Sequence, residues 1–330
     1  MMNKRLKQGS TFLLAVALTF PLLTLPGAKA ASAINTGQKC SIEFDISGNS
    51  SELLSASIPV NLYKVASVDE SGNYTGIGAF SKLDLSSVSA DNLDAAAATW
   101  AERAAEAKKL LKDDTEPTTT TLTQGRGTAT GLKTGLYLVD TPEVVTTNYT
   151  YTFTPYLVSL PTNNYYSNGN DTWIYDLTKE YNSAVGLKPE EHARYGDLKI
   201  NKTLAHHNAT TGKKATFVFK IEITPLKGKT ETRIESLDFE AAGDSSVTIT
   251  KIPAGATVTV KEEYSGASYK LTSANDQTTK IIATDEKGAP VSVSFTNDVD
   301  DNMNGGYGVK NNFKLDENGQ YQYTEPAEKN

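Results

Sequence analysis

The segment Gly196-Asp-Leu-Lys-Ile-Asn-Lys-Thr-Leu204 decides how the chain is read. A strand has period two, so Leu198, Ile200, Lys202 and Leu204 share one face, and Lys199, Asn201 and Thr203 share the other. The first face is apolar except for Lys202. An ammonium buried without a partner is strongly unfavourable. Three readings are open: the segment is not a strand, Lys202 lies at an edge with its head in water, or it has a dedicated partner. Two later segments bear on the choice. Val258-Thr-Val-Lys-Glu262 puts Glu262 in phase with Val258 and Val260, and Val291-Ser-Val-Ser-Phe-Thr-Asn297 puts Asn297 in phase with Val291, Val293 and Phe295.

An amine, a carboxyl and a carboxamide gathered in one apolar core suggest a reaction. Burial lowers a lysine pKa and raises a carboxyl pKa, which leaves a neutral, nucleophilic amine beside a carboxylic acid. Attack of the Lys202 nitrogen on the Asn297 carboxamide expels ammonia and leaves an amide crosslink. Glu262 serves as proton shuttle, giving a proton to the amide oxygen. The step is a single-turnover self-modification, so the protein need not be an enzyme. The bond closes a loop of 94 intervening residues, 203–296, between the first and last strands of a domain. The competing reading keeps Lys202 at an edge, its stem on the core and its head outside, with Asn297 as a strand-end turn residue.

Working outward, the chain after Gly196 is plainly β, with strands expected near 197–204, 214–223, 246–252, 256–263, 268–272, 278–283 and 291–297. That spacing, with Gly, Asn and Asp turns, suggests a sandwich. Glu180–Tyr195 reads as the boundary region, with Lys188-Pro189 and the charged run Glu190-Glu191-His192. Upstream, Ser41–Ile46 and Ile58–Val65 read as strands, Asp69–Asn73 as a turn, and Gly135–Val139, Tyr149–Leu160 and the segment starting at Trp173 as further β structure. Residues 90–112 read as the one clear helix, because Leu93, Ala97, Trp100, Ala104, Ala107 and Leu111 recur at helical steps. Residues 300–330 form a tail, either a hairpin around Asn318-Gly319 or disordered.

Residues 1–30 read as a signal peptide: Lys4, Arg5 and Lys7, an apolar stretch Phe12–Leu25, then Ala28-Lys29-Ala30. The 330-residue chain has a formal charge of −7; without Lys4, Arg5, Lys7 and Lys29 it is −11, which argues against nucleic acid and anionic membranes as partners. Cys40 is the only cysteine, so an exported chain must be stabilised by something other than disulfides. The histidines are few, and adjacent His206 and His207 do not share a strand face, so no metal site is expected. No cofactor motif and no nucleophile–base order is visible. Asn148-Tyr-Thr150 and Asn208-Ala-Thr210 match a glycosylation sequon that carries little weight here. The tyrosine-rich stretch 149–166 reads as a sandwich face, with contact to a host ligand as the alternative.

Asp197-Leu-Lys-Ile-Asn-Lys-Thr-Leu204, Phe217-Val-Phe219, Ile252-Pro-Ala-Gly255, Val258–Glu262 and Ser294-Phe-Thr-Asn297 resemble successive pieces of the Cna B-type domains of Gram-positive, sortase-assembled pilins. The similarity extends to the C-terminal domain of the group A streptococcal backbone pilin and covers about a third of the chain. It implies a Lys–Asn isopeptide bond promoted by Glu, carried here by Lys202, Asn297 and Glu262. Leu62-Tyr-Lys-Val-Ala66, Gly135–Val139, Tyr156-Leu-Val-Ser-Leu-Pro161 and Trp173-Ile-Tyr-Asp176 resemble the N-terminal domain of such subunits. There the resemblance implies a lysine that accepts the next subunit from a sortase. Lys188 is the counterpart, in Gly186-Leu-Lys-Pro189 rather than the usual Tyr-Pro-Lys-Asn, and Lys179 competes. In the first domain Lys39 is out of phase with Ile42 and Phe44, and Lys64, in phase with Ile58, Val60 and Leu62, is the only candidate for a further crosslink.

The expected architecture is thus mostly β: two tandem Ig-like sandwiches, 31–195 with a helical insertion and 196–299. The expected role is a secreted, cell-surface pilin subunit with other subunits and a sortase as partners. The alternative is an accessory or secreted adhesin that binds a host protein or glycan without polymerising. A secreted hydrolase is the remaining class, and no residue pattern supports it. Leu-Pro-x-Thr-Gly and a terminal apolar span, which shaft subunits of the family carry, are not in the sequence.

Overall fold

The computed structural model describes residues 32–90, 97–163, 172–178, 184–208, 214–266, 268–284, 288–300, 312–315 and 321–324. Residues 1–30, read above as a signal peptide, and Lys179 lie outside the described residues. The chain divides into two compact units. The first takes residues up to Asp197 with Lys251–Ala256 and Ile281–Ala289; the second takes Leu198–Thr250, Thr257–Lys280 and residues from Pro290 onward.

The first part of the chain forms β1 (Lys39–Asp45), the short helix α1 (Ser51–Leu54), β2 (Ile58–Val68), β3 (Tyr74–Gly76) and helix α2 (Ala97–Leu110). There follow β4 (Thr118–Leu122), β5 (Arg126–Lys133), β6 (Gly135–Asp140), β7 (Val144–Val145), β8 (Tyr149–Phe153), β9 (Tyr156–Leu160), β10 (Thr162–Asn163), β11 (Trp173–Ile174), β12 (Asp176–Leu177) and β13 (Pro189–Ala193). The central sheet runs β3-β2-β6-β9, with β4 also on β2; a second sheet runs β12-β1-β5 and a third β13-β8-β7.

Strand β6 explains the layering. All six of its residues are buried, and alternate side chains enter different cores. Tyr137 and Val139 join Ile42, Phe44, Val60 and Leu62, while Leu136 and Leu138 join Val65, Phe80, Ala104 and Ala107. A strand buried on both faces reads as a continuous apolar run, and Gly135-Leu-Tyr-Leu-Val139 is one. Helix α2 supplies the second cover. The alanines Ala104 and Ala107 are fully buried and let the helix axis come close to the sheet, with Trp100, Leu110 and Leu111 flanking them.

Several expectations are corrected here. The helix expected over 90–112 is Ala97–Leu110; Ala90 lies in a turn and Lys112 past its end, and residues 91–96 are outside the described residues. The threonine run after it is strand β4, since β-branched residues suit a pleated edge. The charged run in the boundary region is strand β13, paired with β8 from Pro189↔Phe153 to Ala193↔Tyr149. Tyr149–Leu160 is two strands in different sheets, separated at Thr154-Pro155.

The second part forms β14 (Tyr195–Leu204), β15 (Ala215–Thr224), β16 (Glu231–Phe239), β17 (Gly243–Pro253), β18 (Thr257–Tyr264), β19 (Tyr269–Leu271), β20 (Gln277–Lys280) and β21 (Val291–Val299). They make two four-stranded sheets, β17-β14-β21-β19 and β16-β15-β18-β20. The inner faces meet through aromatic contacts: Phe219 of one sheet lies 5.2 Å, ring to ring, from Phe295 of the other. This is the expected mostly-β sandwich. Strand β16 was not expected from the sequence, because Glu231, Arg233, Glu235 and Asp238 mask its period; only Leu237 and Phe239 are buried on this edge strand. In the tail, β22 (Asn312–Leu315) pairs antiparallel with β23 (Tyr321–Thr324).

Both tryptophans, Trp100 and Trp173, belong to the first unit, so their fluorescence reports on it alone. Phe44 is fully buried on β1. Phe44→Ala should lower the stability followed by tryptophan fluorescence in urea by about 3–5 kcal/mol, the usual cost of an aromatic-sized cavity.

Candidate functional site

The site lies in the second unit, and backbone register builds it. Strand β14 alternates along its whole length, and Leu198, Ile200, Lys202 and Leu204 all point inward. It pairs in parallel with β21, Lys202 opposite Phe295 and Leu204 opposite Asn297. Asn297 therefore sits one inward position beyond the residue facing Lys202. Glu262 comes from the other sheet, on β18, where it faces Phe219 of β15. The pairing of β15 with β18 shifts between Val218 and Phe219, so Glu263 is left over as a bulge. Glu262 points into the core in phase with Val258 and Val260, and the bulge ends that alternation just after it, leaving Glu263 and Tyr264 exposed.

The three predicted residues meet. Lys202 and Asn297 have no exposed surface and Glu262 is 4% exposed. Lys202 Nζ donates to Glu262 Oε2 at 2.6 Å and also to Asn297 Oδ1. Asn297 Nδ2 donates to Glu262 Oε1 at 2.6 Å. The carboxyl thus touches the nucleophile with one oxygen and the amide nitrogen with the other. The sequence reading has it give a proton to the amide oxygen; here that oxygen accepts from the lysine, and the carboxyl reaches the amide nitrogen instead. The edge reading of Lys202 is removed by its burial.

Aromatic rings complete the enclosure. Lys202 Nζ is 4.3 Å from the centre of the Phe217 ring and 5.9 Å from that of Phe219. Ring faces attract a cation but do not hydrate it. Burial pushes the Lys202 pKa below its ordinary 10.5, and the hydrogen bond and charge of Glu262 pull the other way without restoring it. Proton transfer from Lys202 to Glu262 replaces two desolvated charges with two neutral groups, one of them nucleophilic.

The remaining candidates lie apart from this cluster. Lys188 is exposed on the first unit, its ammonium 5.6 Å from the Tyr156 ring centre. Its carbonyl accepts from the Thr154 amide at 3.1 Å and the Tyr156 hydroxyl donates to the Gly186 carbonyl at 2.9 Å, so the backbone around it is tied down. Lys64 keeps the register of Leu62, opposite Tyr137, and is half-buried; the β2–β6 pairing shifts only after it, where Val65 and Ala66 enter the second core. Burial lowers its pKa, with Lys133 adding to the effect, and among the described residues no hydrogen bond or ion pair joins it to a carboxylate or carboxamide. In the first unit the parallel pair β1–β12 presents Cys40, Ile42 and Phe44 inward where β14 presents Lys202. Burial pushes the Cys40 thiol up to about 11. His206 pairs with Asp298 at 2.9 Å and His192 with the Thr152 hydroxyl at 2.9 Å. Among the described residues no group of His, Cys, Asp and Glu could hold a metal ion. Tyr149, Tyr151, Phe153 and Tyr156 pack on the first core, as the sandwich-face reading has it.

Sequence reasoning quoted Phe217 and Phe219 without giving them a role; their spacing of two, in phase with Ile221 and Ile223, was the available signal. It missed Asn275, whose Oδ1 accepts the Glu262 backbone N–H at 2.9 Å. Nothing in a polar loop marks such a residue.

In the unreacted state the buried lysine makes stability depend on pH. Its folded pKa lies below its unfolded value, so the unfolded chain binds more protons in the window between them and stability rises with pH there. An Asn297→Ala variant, which cannot form the crosslink, should gain resistance to urea as pH rises toward 10.5. Adding Lys202→Met should flatten that slope.

Residues 198–300 match the family model described as a domain of unknown function, DUF5979. No curated protein matches the chain. Solved structures that match include the minor pilin of Streptococcus agalactiae, 17% identical over 74% of this chain and 83% of that one, with a TM-score of 0.23. The major pilin T3.2 of Streptococcus pyogenes is 11% identical over 82% and 99%, TM-score 0.24. The full-length major pilin SpaD of Corynebacterium diphtheriae is 13% identical over 81% and 99%, TM-score 0.26. At these identities and scores the comparison carries no functional argument.

Proposed function

We propose that Lys202 and Asn297 form an intramolecular isopeptide bond, with Glu262 as proton relay, and that the protein is a surface pilin-type subunit hardened by it. The observation that carries the reading is the closed ring of contacts among three buried groups of complementary reactivity. Lys202 passes a proton to Glu262 Oε2 and becomes a neutral amine. Its nitrogen attacks the Asn297 carboxamide carbon, forming the new C–N bond. Glu262 gives that proton to the departing Asn297 nitrogen and takes the second proton from the attacking amine; the old C–N bond breaks, ammonia leaves, and Glu262 is left as the neutral acid. Atoms balance without cofactor or metal. The product is one neutral amide in place of a buried ion pair, and the reaction happens once.

The crosslink restrains the unfolded chain as a disulfide across a similar loop does, by about 4–5 kcal/mol. That suits a chain with a signal-peptide-like start, one buried cysteine and no disulfide. The motif order around the triad supports the pilin assignment. In that role Lys188 is the candidate acceptor for a sortase-delivered subunit: it is exposed, and hydrogen bonds fix its backbone on both sides. No helix among the described residues is long and apolar enough to cross a membrane. The adhesin reading, with a host protein or glycan as ligand, differs only in leaving Lys188 unused.

Intact mass decides the first step. The purified chain should be lighter than its sequence by about 17 Da, one ammonia. Lys202→Ala, Glu262→Ala and Asn297→Ala should each restore the full mass after correction for the substitution; an unshifted parent mass sinks the crosslink. For the second step, cell-wall extracts run on denaturing gels should show a covalent ladder that Lys188→Ala abolishes. Monomer alone, with binding to host matrix, would favour the adhesin.

A further inference from the structure

The segment Thr272–Gln277 links the edge strand β19 of one sheet to β20 of the other, and its side chains do the work of a missing strand. Strand β20 pairs with β18 from Thr257↔Lys280 to Val260↔Gln277, and there the ladder ends. Continued by one more inward step, the same register would set Glu262 opposite Asn275. Instead the Asn275 side-chain carbonyl takes the Glu262 N–H at 2.9 Å. On the other sheet, Ser273 Oγ accepts the Thr296 N–H at 3.1 Å, and the Thr272 N–H donates to the Thr296 carbonyl at 2.8 Å. The Gln277 amide mimics a backbone unit toward Ser294, accepting its N–H at 3.1 Å and donating to its carbonyl. Six consecutive residues thus hold the strand that carries Asn297 and the strand that carries Glu262.

We propose that Asn275 is a positioning residue for the crosslinking step, holding the Glu262 carboxyl between Lys202 and Asn297. This rests on the isopeptide reading above. Asn275 touches no reacting atom; it acts through the Glu262 backbone. Glu262 needs such a support because it sits beside the bulge at Glu263, where the pairing of β18 with β15 changes register. Without the Asn275 acceptor the Glu262 N–H is left to find water, and the carboxyl turns with its backbone. A relay that must touch two nitrogens at 2.6 Å each tolerates little displacement; a misplacement of about 1 Å in a reacting geometry costs about a hundredfold in rate.

The test follows the reaction in time. The full chain is made by cell-free synthesis, captured unfolded in denaturant, refolded by dilution, and sampled by intact mass. Near-UV circular dichroism establishes that each variant is folded. Asn275→Ala should lose ammonia at least about tenfold more slowly than the parent once folded. Asn275→Asp, which keeps an acceptor oxygen at the same reach, should restore most of the rate. Asn275→Gln, whose amide sits one methylene further out, should remain slow, and it carries the test should the alanine variant not fold. The pH profile separates positioning from mere stability. The parent passes the lysine proton internally, so its rate should be flat over about pH 6–9. In the alanine and glutamine variants solvent must take that proton, and the rate should climb with pH. A parental rate and flat profile in the folded Asn275→Ala or Asn275→Gln variant overturns the proposal, as does an aspartate variant as slow as alanine. A parent that never loses ammonia overturns the crosslink itself, a different failure from a parent that reacts alongside equally fast Asn275 variants.

Discussion

The contact between Lys202 and Glu262 is the constraint around which the second unit is organised. Two opposite charges in a core lined by Phe217, Phe219 and Phe295 do little for stability, because desolvating them offsets most of their attraction. Well-packed apolar side chains at both positions would serve a sandwich at least as well. The pair makes sense as a reactive arrangement. The same desolvation that makes it a poor stabiliser lowers the lysine pKa and favours the neutral pair. The register that sets Asn297 one inward step beyond Phe295 gives the amine a carboxamide to meet. Once an amide forms, the charges are gone and the unfavourable burial ends with them.

The first unit shows what the chain does without that chemistry. Its strand β1 also pairs in parallel with a late strand, β12, but the inward row is Cys40, Ile42 and Phe44, and Lys64 on β2, in phase with Leu62, is only half-buried. Stability there comes from area. Strand β6 is covered on both faces, by the β1–β5 layer on one side and by α2 on the other, so one strand serves two cores. A helix packed through Ala104 and Ala107 buries apolar surface that an open sheet would leave wet. The two units, in a chain with one thiol, are thus built on different physical means.

Much of this was legible in the sequence, and the reasons are specific. Period two in Leu198–Leu204, Val258–Glu262 and Val291–Asn297 is unbroken, so the inward placement of Lys202, Glu262 and Asn297 could be read without coordinates. Strand β16 could not, since Glu231, Arg233 and Glu235 occupy the phase of its only two buried apolar residues, Leu237 and Phe239, while the exposed face carries Ile234. Strand β13 was hidden for a related reason: Glu190-Glu191-His192 looks like a linker until Tyr149–Phe153 is seen to need a partner. The helix was overextended at its C-terminal end because periodicity continues through Leu111 where the helix stops at Leu110. Asn275 was invisible because its function depends on where a ladder ends, which is a property of two strands and not of one segment.

Topology gives the proposed bond its mechanical meaning. Lys202 lies near the end of β14 and Asn297 near the end of β21, and the two strands run in parallel side by side. Load entering along the chain before Lys202 and leaving after Asn297 would, without a crosslink, be borne by seven pairs of hydrogen-bonded residues in shear and then by the whole intervening sandwich. With an amide between the two side chains, the load passes from one strand to the other through covalent bonds. Residues 203–296 then carry no tension, and the aromatic core, the bulge at Glu263 and the segment 272–277 are left free to do what their geometry suits, which is to hold three side chains still long enough to react once.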